Sequence, residues 1–181
     1  MNLPNAISLL RLLCVPVTIW LIVTDDFAAA FWLFVLAGVS DAIDGLLARR
    51  WGWRTKLGSY LDPLADKALV VSVYITLGLH QHLPAWLVIL VVFRDLVIIG
   101  GAMLQYAFTA NLPRIQPLAI SKFNTVTQIL LAGVTLAMLG LGMRDFGLST
   151  LLIYGVAFTT LASGLVYGRQ WLRSFARVGE E

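Results

Sequence analysis

The chain has few charged residues: Asp, Glu, Lys and Arg make up 13% of its 181 positions, against about a quarter in soluble proteins. Apolar residues make up 59%, and the mean hydropathy is +0.84. No basic stripe lies on a polar face, which argues against nucleic-acid binding. No repeat or low-complexity segment divides the chain, so we expect one membrane-embedded domain over residues 1–181.

The chain also has a single cysteine, and its first residues do not show the pattern of a cleavable signal peptide. The one cysteine, Cys14, lies in an apolar run, so no disulfide can form within the chain. No basic segment precedes the first apolar run, and no small-residue cleavage pattern follows it, as a cleavable signal peptide would require. The absence of an Arg- and Ser-rich presequence favours a bacterial plasma membrane over a mitochondrial one.

Long apolar segments, by contrast, are abundant. A helix that crosses the hydrocarbon core of a bilayer needs about 20 mostly apolar residues. Six segments meet this requirement and predict an all-α integral membrane protein with six transmembrane helices. The last is too long for one straight span, and we expect it to leave the bilayer near Gly168 as a basic interfacial tail. The predicted spans cover residues 7–24, 27–49, 57–79, 85–108, 118–142 and 148–175.

The basic residues at or beyond the ends of these spans predict an orientation. In a six-span arrangement, eight of them fall on one side and only Arg144 falls on the other. Because cytoplasmic loops carry an excess of Lys and Arg, both termini are expected in the cytoplasm.

Four aspartates lie in two of the apolar segments, where an unpaired charge costs roughly 2.5–3.5 kcal/mol. Asp41 and Asp44 are three residues apart in the second span, and Asp62 and Asp66 are four apart in the third. Each pair therefore shares a helix face. Carboxylate oxygens suit hard cations such as Mg²⁺ or Mn²⁺. Two such ions form a clamp suited to phosphoryl chemistry.

The aspartates also leave a different class of function open. A single intramembrane aspartate can be structural or part of a proton path, so a cation or proton transporter is the alternative. Such a protein has no use for Gly45, Ala48, Arg49 and Gly58 in register with the acids. At 1.5 Å per residue, Asp41 would lie roughly 12 Å inward of Arg49, so the active site is expected to face the cytoplasm.

The pattern Asp-x2-Asp-Gly-x2-Ala-Arg-x8-Gly-x3-Asp-x3-Asp resembles the signature of the CDP-alcohol phosphatidyltransferases. Every defined position is present between Asp41 and Asp66. The resemblance implies a homodimeric enzyme in which a CDP-linked lipid donates its phosphatidyl group to an alcohol and releases CMP. Asp66 would be the general base on the acceptor hydroxyl. Two divalent cations would be held by Asp41, Asp44, Asp62 and Asp66.

The resemblance also implies a set of residues that bind the CDP-lipid. The glycines and the alanine would let the nucleotide approach the backbone, and the polar residues would contact the nucleotide or its phosphates. This set comprises Asn5, Arg11, Gly45, Ala48, Arg49 and Gly58.

The acceptor alcohol is the finer question. Residues 62–67, 120–125 with Gln128, and 157–163 resemble eukaryotic-type cardiolipin synthases, which use phosphatidylglycerol. Phosphatidylglycerophosphate synthases, the alternative, tend to carry a second basic residue where this chain has Asn124. Their acceptor, glycerol-3-phosphate, is a dianion and should need several cationic partners.

Phosphatidylglycerol carries one phosphodiester charge, so fewer basic residues suffice, and cardiolipin synthesis is the favoured prediction. The basic residues available for that charge are Arg94, Arg114 and Lys122. Arg94 could equally form a buried ion pair with the neighbouring Asp95 that fixes helix packing.

Overall fold

The computed structural model describes the backbone of residues 3–51, 58–109 and 119–178, and the side chains of residues 9–40, 65–101 and 119–170. Within these ranges the secondary structure consists of α-helices without a strand, which confirms the all-α prediction there. The six helices are α1 (Leu3–Val23), α2 (Phe27–Trp51), α3 (Gly58–Leu79), α4 (Ala85–Thr109), α5 (Ala119–Leu141) and α6 (Leu148–Val178).

Turn-forming residues separate α1 from α2 and α5 from α6. Asp25 has a left-handed φ of 61° between α1 and α2, and the Asp26 carboxylate caps α2 by accepting a hydrogen bond from the Ala29 backbone N–H at 3.2 Å. Aspartate suits both tasks, because its short side chain tolerates this backbone region and satisfies an otherwise unpaired helix donor. Glycines with positive φ, Gly142 and Gly147, lie between α5 and α6.

Two helices of the described part are long and apolar enough to cross a membrane, over Ala119–Leu141 and Leu148–Gln170. Two further apolar stretches, Leu9–Val23 and Phe27–Ser40, are shorter within the described side chains. Because α6 continues to Val178, it exceeds the length that one span needs. These findings support an integral membrane protein, and the full set of six spans stays a prediction.

Neighbouring residues in α4–α6 expose apolar groups and bury polar ones. Phe93 is 65% exposed beside Arg94 at 5%, and Phe123 is 59% exposed beside Asn124 at 0%. In α6, Phe158 is exposed beside the buried Thr159. A water-soluble protein would bury such aromatic side chains and solvate the polar ones. The arrangement suits helices that turn apolar faces to lipid.

The helices group into two compact units. The first comprises Met1–Pro84 and Ala132–Phe146, and here α1 packs against both α2 and α3. Gly140 of α5 lies so close to α2 that a Cβ atom would come within 2.5 Å of the Ala28 backbone nitrogen. Tyr74 and Leu77 of α3 are fully buried in this unit.

The second unit comprises Ala85–Leu131 and Gly147–Glu181, and in it α4 packs against α6. Its apolar core includes Leu87, Val91 and Val156, each fully buried. The prediction that residues 1–181 form one domain stays a prediction.

Candidate active site

An ion pair joins α1 to α3 at the last aspartate of the motif. Arg11 Nη1 donates a hydrogen bond to Asp66 Oδ1 at 2.6 Å. The two side chains differ in accessibility: that of Arg11 is 4% exposed and that of Asp66 is 41% exposed. Hydrogen bonds between a guanidinium and a carboxylate are short and strong because both partners are charged. The pair thus fixes a carboxylate that still has open surface.

The remaining motif residues can be described through their backbone. Asp41 and Asp44 lie in α2, and Asp62 lies in α3 with Asp66, so the helical spacing on which the prediction depended is present. Gly58 is the first residue of α3. Other predicted binding residues, Asn5 of α1 and Gly45, Ala48 and Arg49 of α2, also lie on helical backbone. Their side chains, and those of Asp41, Asp44 and Asp62, lie outside the described residues.

The donor set suits a hard divalent cation. None of the described side chains forms a group of three His, Cys, Asp or Glu that could hold a metal, and Asp66 is the only predicted ligand among them. Asp66 Oδ1 lies 2.6 Å from Arg11 Nη1, so this carboxylate already binds a positively charged group. Oxygen ligands of this kind are those that Mg²⁺ and Mn²⁺ prefer.

A second polar cluster surrounds Arg94 of α4. Its Nη1 donates to Asp95 Oδ1 at 2.7 Å, and its Nη2 donates to Ser121 Oγ at 2.8 Å and to Ser163 Oγ. The guanidinium also lies 5.9 Å from the centroid of the Tyr167 ring. Arg94 thus links α4, α5 and α6, and the buried ion pair considered as an alternative is present.

Asn124 of α5 continues this polar cluster. It is fully buried, and its Oδ1 accepts hydrogen bonds from Thr159 Oγ1 at 2.8 Å and Thr160 Oγ1 at 2.9 Å. Among the described residues, neither Asn124 Nδ2 nor Arg94 Nε has a hydrogen-bond partner. Because a buried donor without a partner is unfavourable, both nitrogens suit contact with an oxygen of water or of a ligand.

The structure describes one of the other two predicted acceptor residues. Lys122 is exposed near the start of α5. Arg114 lies outside the described residues. Three partners of Arg94 were not predicted from the sequence: Ser121, Ser163 and Tyr167. The spacing of Ser163 and Tyr167 could have indicated a shared partner, because residues four apart lie on the same face of α6.

Comparison with known proteins gives a consistent result. A family model described as CDP-alcohol phosphatidyltransferase matches residues 1–162. The chain is 40% identical over 185 residues to a chloroplastic CDP-diacylglycerol–glycerol-3-phosphate 3-phosphatidyltransferase of Oryza sativa subsp. japonica, with 93% of this chain and 56% of the relative covered. It is 34% identical over 181 residues to the cardiolipin synthase (CMP-forming) of Homo sapiens, with 92% and 60% covered.

A bacterial relative adds to the same picture. The CDP-diacylglycerol–glycerol-3-phosphate 3-phosphatidyltransferase of Cereibacter sphaeroides is 33% identical over 150 residues, which cover 79% of this chain and 66% of that relative. The chain thus spans little more than half the length of the rice and human relatives. Both acceptor types weighed from the sequence are represented among these names.

Proposed function

The chain belongs to the CDP-alcohol phosphatidyltransferase family, and we propose that it transfers a phosphatidyl group from CDP-diacylglycerol to the glycerol hydroxyl of phosphatidylglycerol, giving cardiolipin and CMP. The observation that carries the proposal is the setting of the Asp66 carboxylate. This carboxylate closes the motif, lies inside the family match, is paired with a buried guanidinium, and keeps 41% of its side chain exposed. An acceptor hydroxyl can therefore reach it.

The chemistry follows from that carboxylate. Asp66 takes the proton of the acceptor hydroxyl, and the hydroxyl oxygen attacks the phosphorus that bears diacylglycerol. The bond from this phosphorus to the oxygen of CMP breaks in the same displacement, so no covalent enzyme intermediate is needed. Two divalent cations, Mg²⁺ or Mn²⁺, would be held by Asp41, Asp44, Asp62 and Asp66 and would supply neutralising charge at the diphosphate.

Residues of three helices would hold the donor lipid. The residues that would bind it lie on helical backbone: Asn5 and Arg11 in the first half of α1, Gly45, Ala48 and Arg49 in the last part of α2, and Gly58 at the start of α3. Arg49 and Arg11 would offset the charge of the diphosphate, since guanidinium groups match phosphate oxygens in bidentate geometry. The small residues leave room for the nucleotide near the backbone.

The charge of the second polar cluster favours phosphatidylglycerol as the acceptor. Asp95 offsets the charge of Arg94 at 2.7 Å, and Asn124 is neutral. Such a cluster suits hydroxyl groups and one phosphodiester better than a dianion, with Arg94, Lys122 and Arg114 available to that phosphodiester. Phosphatidylglycerophosphate synthesis is the second candidate, and the rice relative at 40% identity favours it.

An assay with competing acceptors tests this choice. The purified full chain in lipid nanodiscs would receive CDP-diacylglycerol with phosphatidylglycerol, with glycerol-3-phosphate, or with both, and mass spectrometry would identify the products. We expect cardiolipin and CMP only when phosphatidylglycerol is present. Phosphatidylglycerophosphate as the sole product would overturn the acceptor assignment, and Asp66→Asn serves as the inactive control.

The proposed setting is the bacterial plasma membrane. We infer six spans, both termini and the active site on the cytoplasmic side, and a homodimer. Support comes from the two membrane-length helices of the described part and from the distribution of basic residues. The family match gives no support to an ion transporter.

A further inference from the structure

We propose that the outward face of α6 binds an anionic phospholipid, with the lipid phosphate at Arg169 and an acyl chain along the helix. The inference rests on the proposed membrane setting and not on the proposed reaction. Its basis is a row of exposed apolar side chains on one helix face, here called the α6 stripe. The α6 stripe comprises Leu151, Tyr154, Phe158, Leu161 and Leu165, which are between 53% and 73% exposed.

An exposed cation continues the α6 stripe. Arg169 follows Leu165 by four positions and therefore lies on the same face of the helix. Among the described residues it has neither an ion-pair nor a hydrogen-bond partner. It also lies at the end of the membrane-length segment Leu148–Gln170, where a spanning helix reaches the headgroup region. A guanidinium at that position is available to a phosphate, which arginine binds in a forked geometry.

The length of the α6 stripe suits one leaflet of a bilayer. Arg169 follows Phe158 by 11 positions, which is roughly 16 Å along a helix. Half of a hydrocarbon core of about 30 Å has nearly the same thickness. A phospholipid whose phosphate meets Arg169 can therefore lay a chain over Leu165, Leu161 and Phe158. Gly168 borders the α6 stripe, and a Cβ atom there would meet no atom within 4 Å, so the space beside the cation is open to a headgroup.

A lipid suits this face better than a second copy of the chain does. Helix pairs in membranes usually meet through small residues that let the backbones approach, whereas the α6 stripe consists of leucine, phenylalanine and tyrosine. A partner helix would also have to compensate the charge of Arg169 at the edge of an apolar surface. An anionic headgroup supplies the opposite charge, and a zwitterionic headgroup brings a cation of its own that competes for the phosphate.

Photolabelling of the full chain in phosphatidylcholine nanodiscs tests the site. The probe is phosphatidylmethanol with a diazirine in its acyl chain. This lipid is anionic, but it has no hydroxyl group to act as an acceptor and no nucleotide to act as a donor. The reference is a phosphatidylcholine probe with the same acyl chain, and mass spectrometry locates the label.

For the wild type, we expect the phosphatidylmethanol probe to label the α6 stripe about fivefold more than the phosphatidylcholine probe does. A preference of this size is typical of one basic residue close to an anionic lipid. Equal labelling by the two probes would overturn the proposal.

Two arginine variants locate the origin of the preference. Arg169→Gln should label the α6 stripe equally with both probes, because the cation is gone. Arg144→Gln is the matched control, since it removes an exposed arginine that lies outside α6, and it should keep the preference. A preference that persists in Arg169→Gln, or that disappears in Arg144→Gln, would contradict the role given to Arg169.

A third variant tests the position of the headgroup. Gly168→Leu keeps every charge but fills the open space beside Arg169, so it should lower the preference. An unchanged preference would mean that the phosphate binds elsewhere, and the proposal would be wrong.

A soluble anion should not replace the lipid. Inorganic phosphate, compared with chloride at equal ionic strength, should leave labelling by the phosphatidylmethanol probe unchanged, because it has no apolar part to contact the α6 stripe. Loss of labelling in phosphate would identify a site for a free anion and would overturn the proposal.

Other failures would give different patterns. If a second copy covers the α6 stripe, neither probe labels it while the exposed Phe123 and Leu130 of α5 are still labelled, and the proposal is wrong. If the membrane setting itself is wrong, neither helix is labelled. Failure of the proposed reaction would leave all these results unchanged, because the probes take no part in it.

Discussion

The two compact units each contain a buried arginine that is paired with an aspartate. The contact distances are 2.6 Å for Arg11–Asp66 and 2.7 Å for Arg94–Asp95, and both arginine side chains are at most 5% exposed. The carboxylates differ, since the side chain of Asp66 is 41% exposed and that of Asp95 is 7% exposed. The same guanidinium–carboxylate contact thus occurs in two settings. Asp66 is accessible to a ligand, whereas Asp95 is enclosed among helices.

When both side chains of an ion pair are buried, the pair is part of the helix packing. Arg94 also donates to Ser121 and Ser163, so Asp95 neutralises a charge that links three helices. Removing one member of such a pair leaves an uncompensated buried charge. In the Arg11–Asp66 pair the carboxylate is 41% exposed, so solvent screens the pair and can compensate part of a change there. We expect the two aspartates to respond to substitution in different ways.

The largest expected effect is on turnover. Asp66→Asn should lower the rate of CMP release by roughly 10²–10⁴-fold, the usual contribution of a general base, while CDP-diacylglycerol binding is largely retained. Asp41→Asn should weaken both binding and turnover. CMP release and equilibrium binding of CDP-diacylglycerol would be measured for each variant. Wild-type turnover in Asp66→Asn would rule out the general-base role.

The next effect is on stability. Asp95→Asn should lower the free energy of unfolding by about 3–5 kcal/mol, because the Arg94 charge is left unpaired in a buried setting. Asp66→Asn should lower it less, because the open carboxylate is partly screened. Thermal unfolding in detergent, followed by circular dichroism, compares the two. Equal losses would mean that exposure does not distinguish the pairs, and the double variant Arg94→Met with Asp95→Leu should recover part of the stability.

Helix packing in the first unit should give a smaller loss. Gly140→Ala adds a Cβ atom within 2.5 Å of the Ala28 backbone, and overpacking of this kind costs typically 1–3 kcal/mol. Gly155 of α6 is a matched control, because no atom lies within 4 Å of the Cβ position there. A Gly140→Ala variant as stable as Gly155→Ala would show that α2 and α5 can move apart without loss.

The smallest effect concerns the side-chain amide of Asn124. Thr160→Val removes one of the two threonine hydroxyls that donate to its Oδ1 and should lower stability by about 1 kcal/mol, the usual net value of a hydrogen bond. If Asn124 contacts the acceptor, the KM for phosphatidylglycerol should rise as well while the KM for CDP-diacylglycerol stays constant. Thr127→Val is a control in the same cluster, because the Thr127 hydroxyl donates to the Asn124 backbone carbonyl at 2.9 Å and not to its side-chain amide. An unchanged KM for phosphatidylglycerol would separate Asn124 from the acceptor site.

The helices were predictable because apolar runs of membrane length leave few alternatives to a helix. Their ends were less so: α1 begins at Leu3 and not at residue 7, and α6 continues to Val178 and not to 175. Pro4 suits the first turn of a helix, where its missing N–H is not needed, so α1 can start before the apolar run does.

The candidate site was predictable to the extent that it depends on spacing along one helix. The motif aspartates lie on helical backbone as expected. Arg94 pairs with the neighbouring Asp95, which is the ion-pair alternative considered from the sequence. The contact of Arg11 with Asp66 was not predictable, because the two residues are 55 positions apart and the contact depends on how α1 packs on α3. For the same reason, the contacts of Arg94 with Ser121 and Ser163 were not predictable, because they depend on how α4, α5 and α6 pack.

The alternation of exposed phenylalanine with buried polar residues restricts how α4–α6 can change. Each residue turns a helix by about 100°, so a single inserted residue would rotate every later side chain away from its present surroundings. In α5 such an insertion before Phe123 would bring Phe123 to the buried position that Asn124 now occupies. Exchanges among the outward apolar residues are therefore tolerable, whereas length changes inside these helices are not.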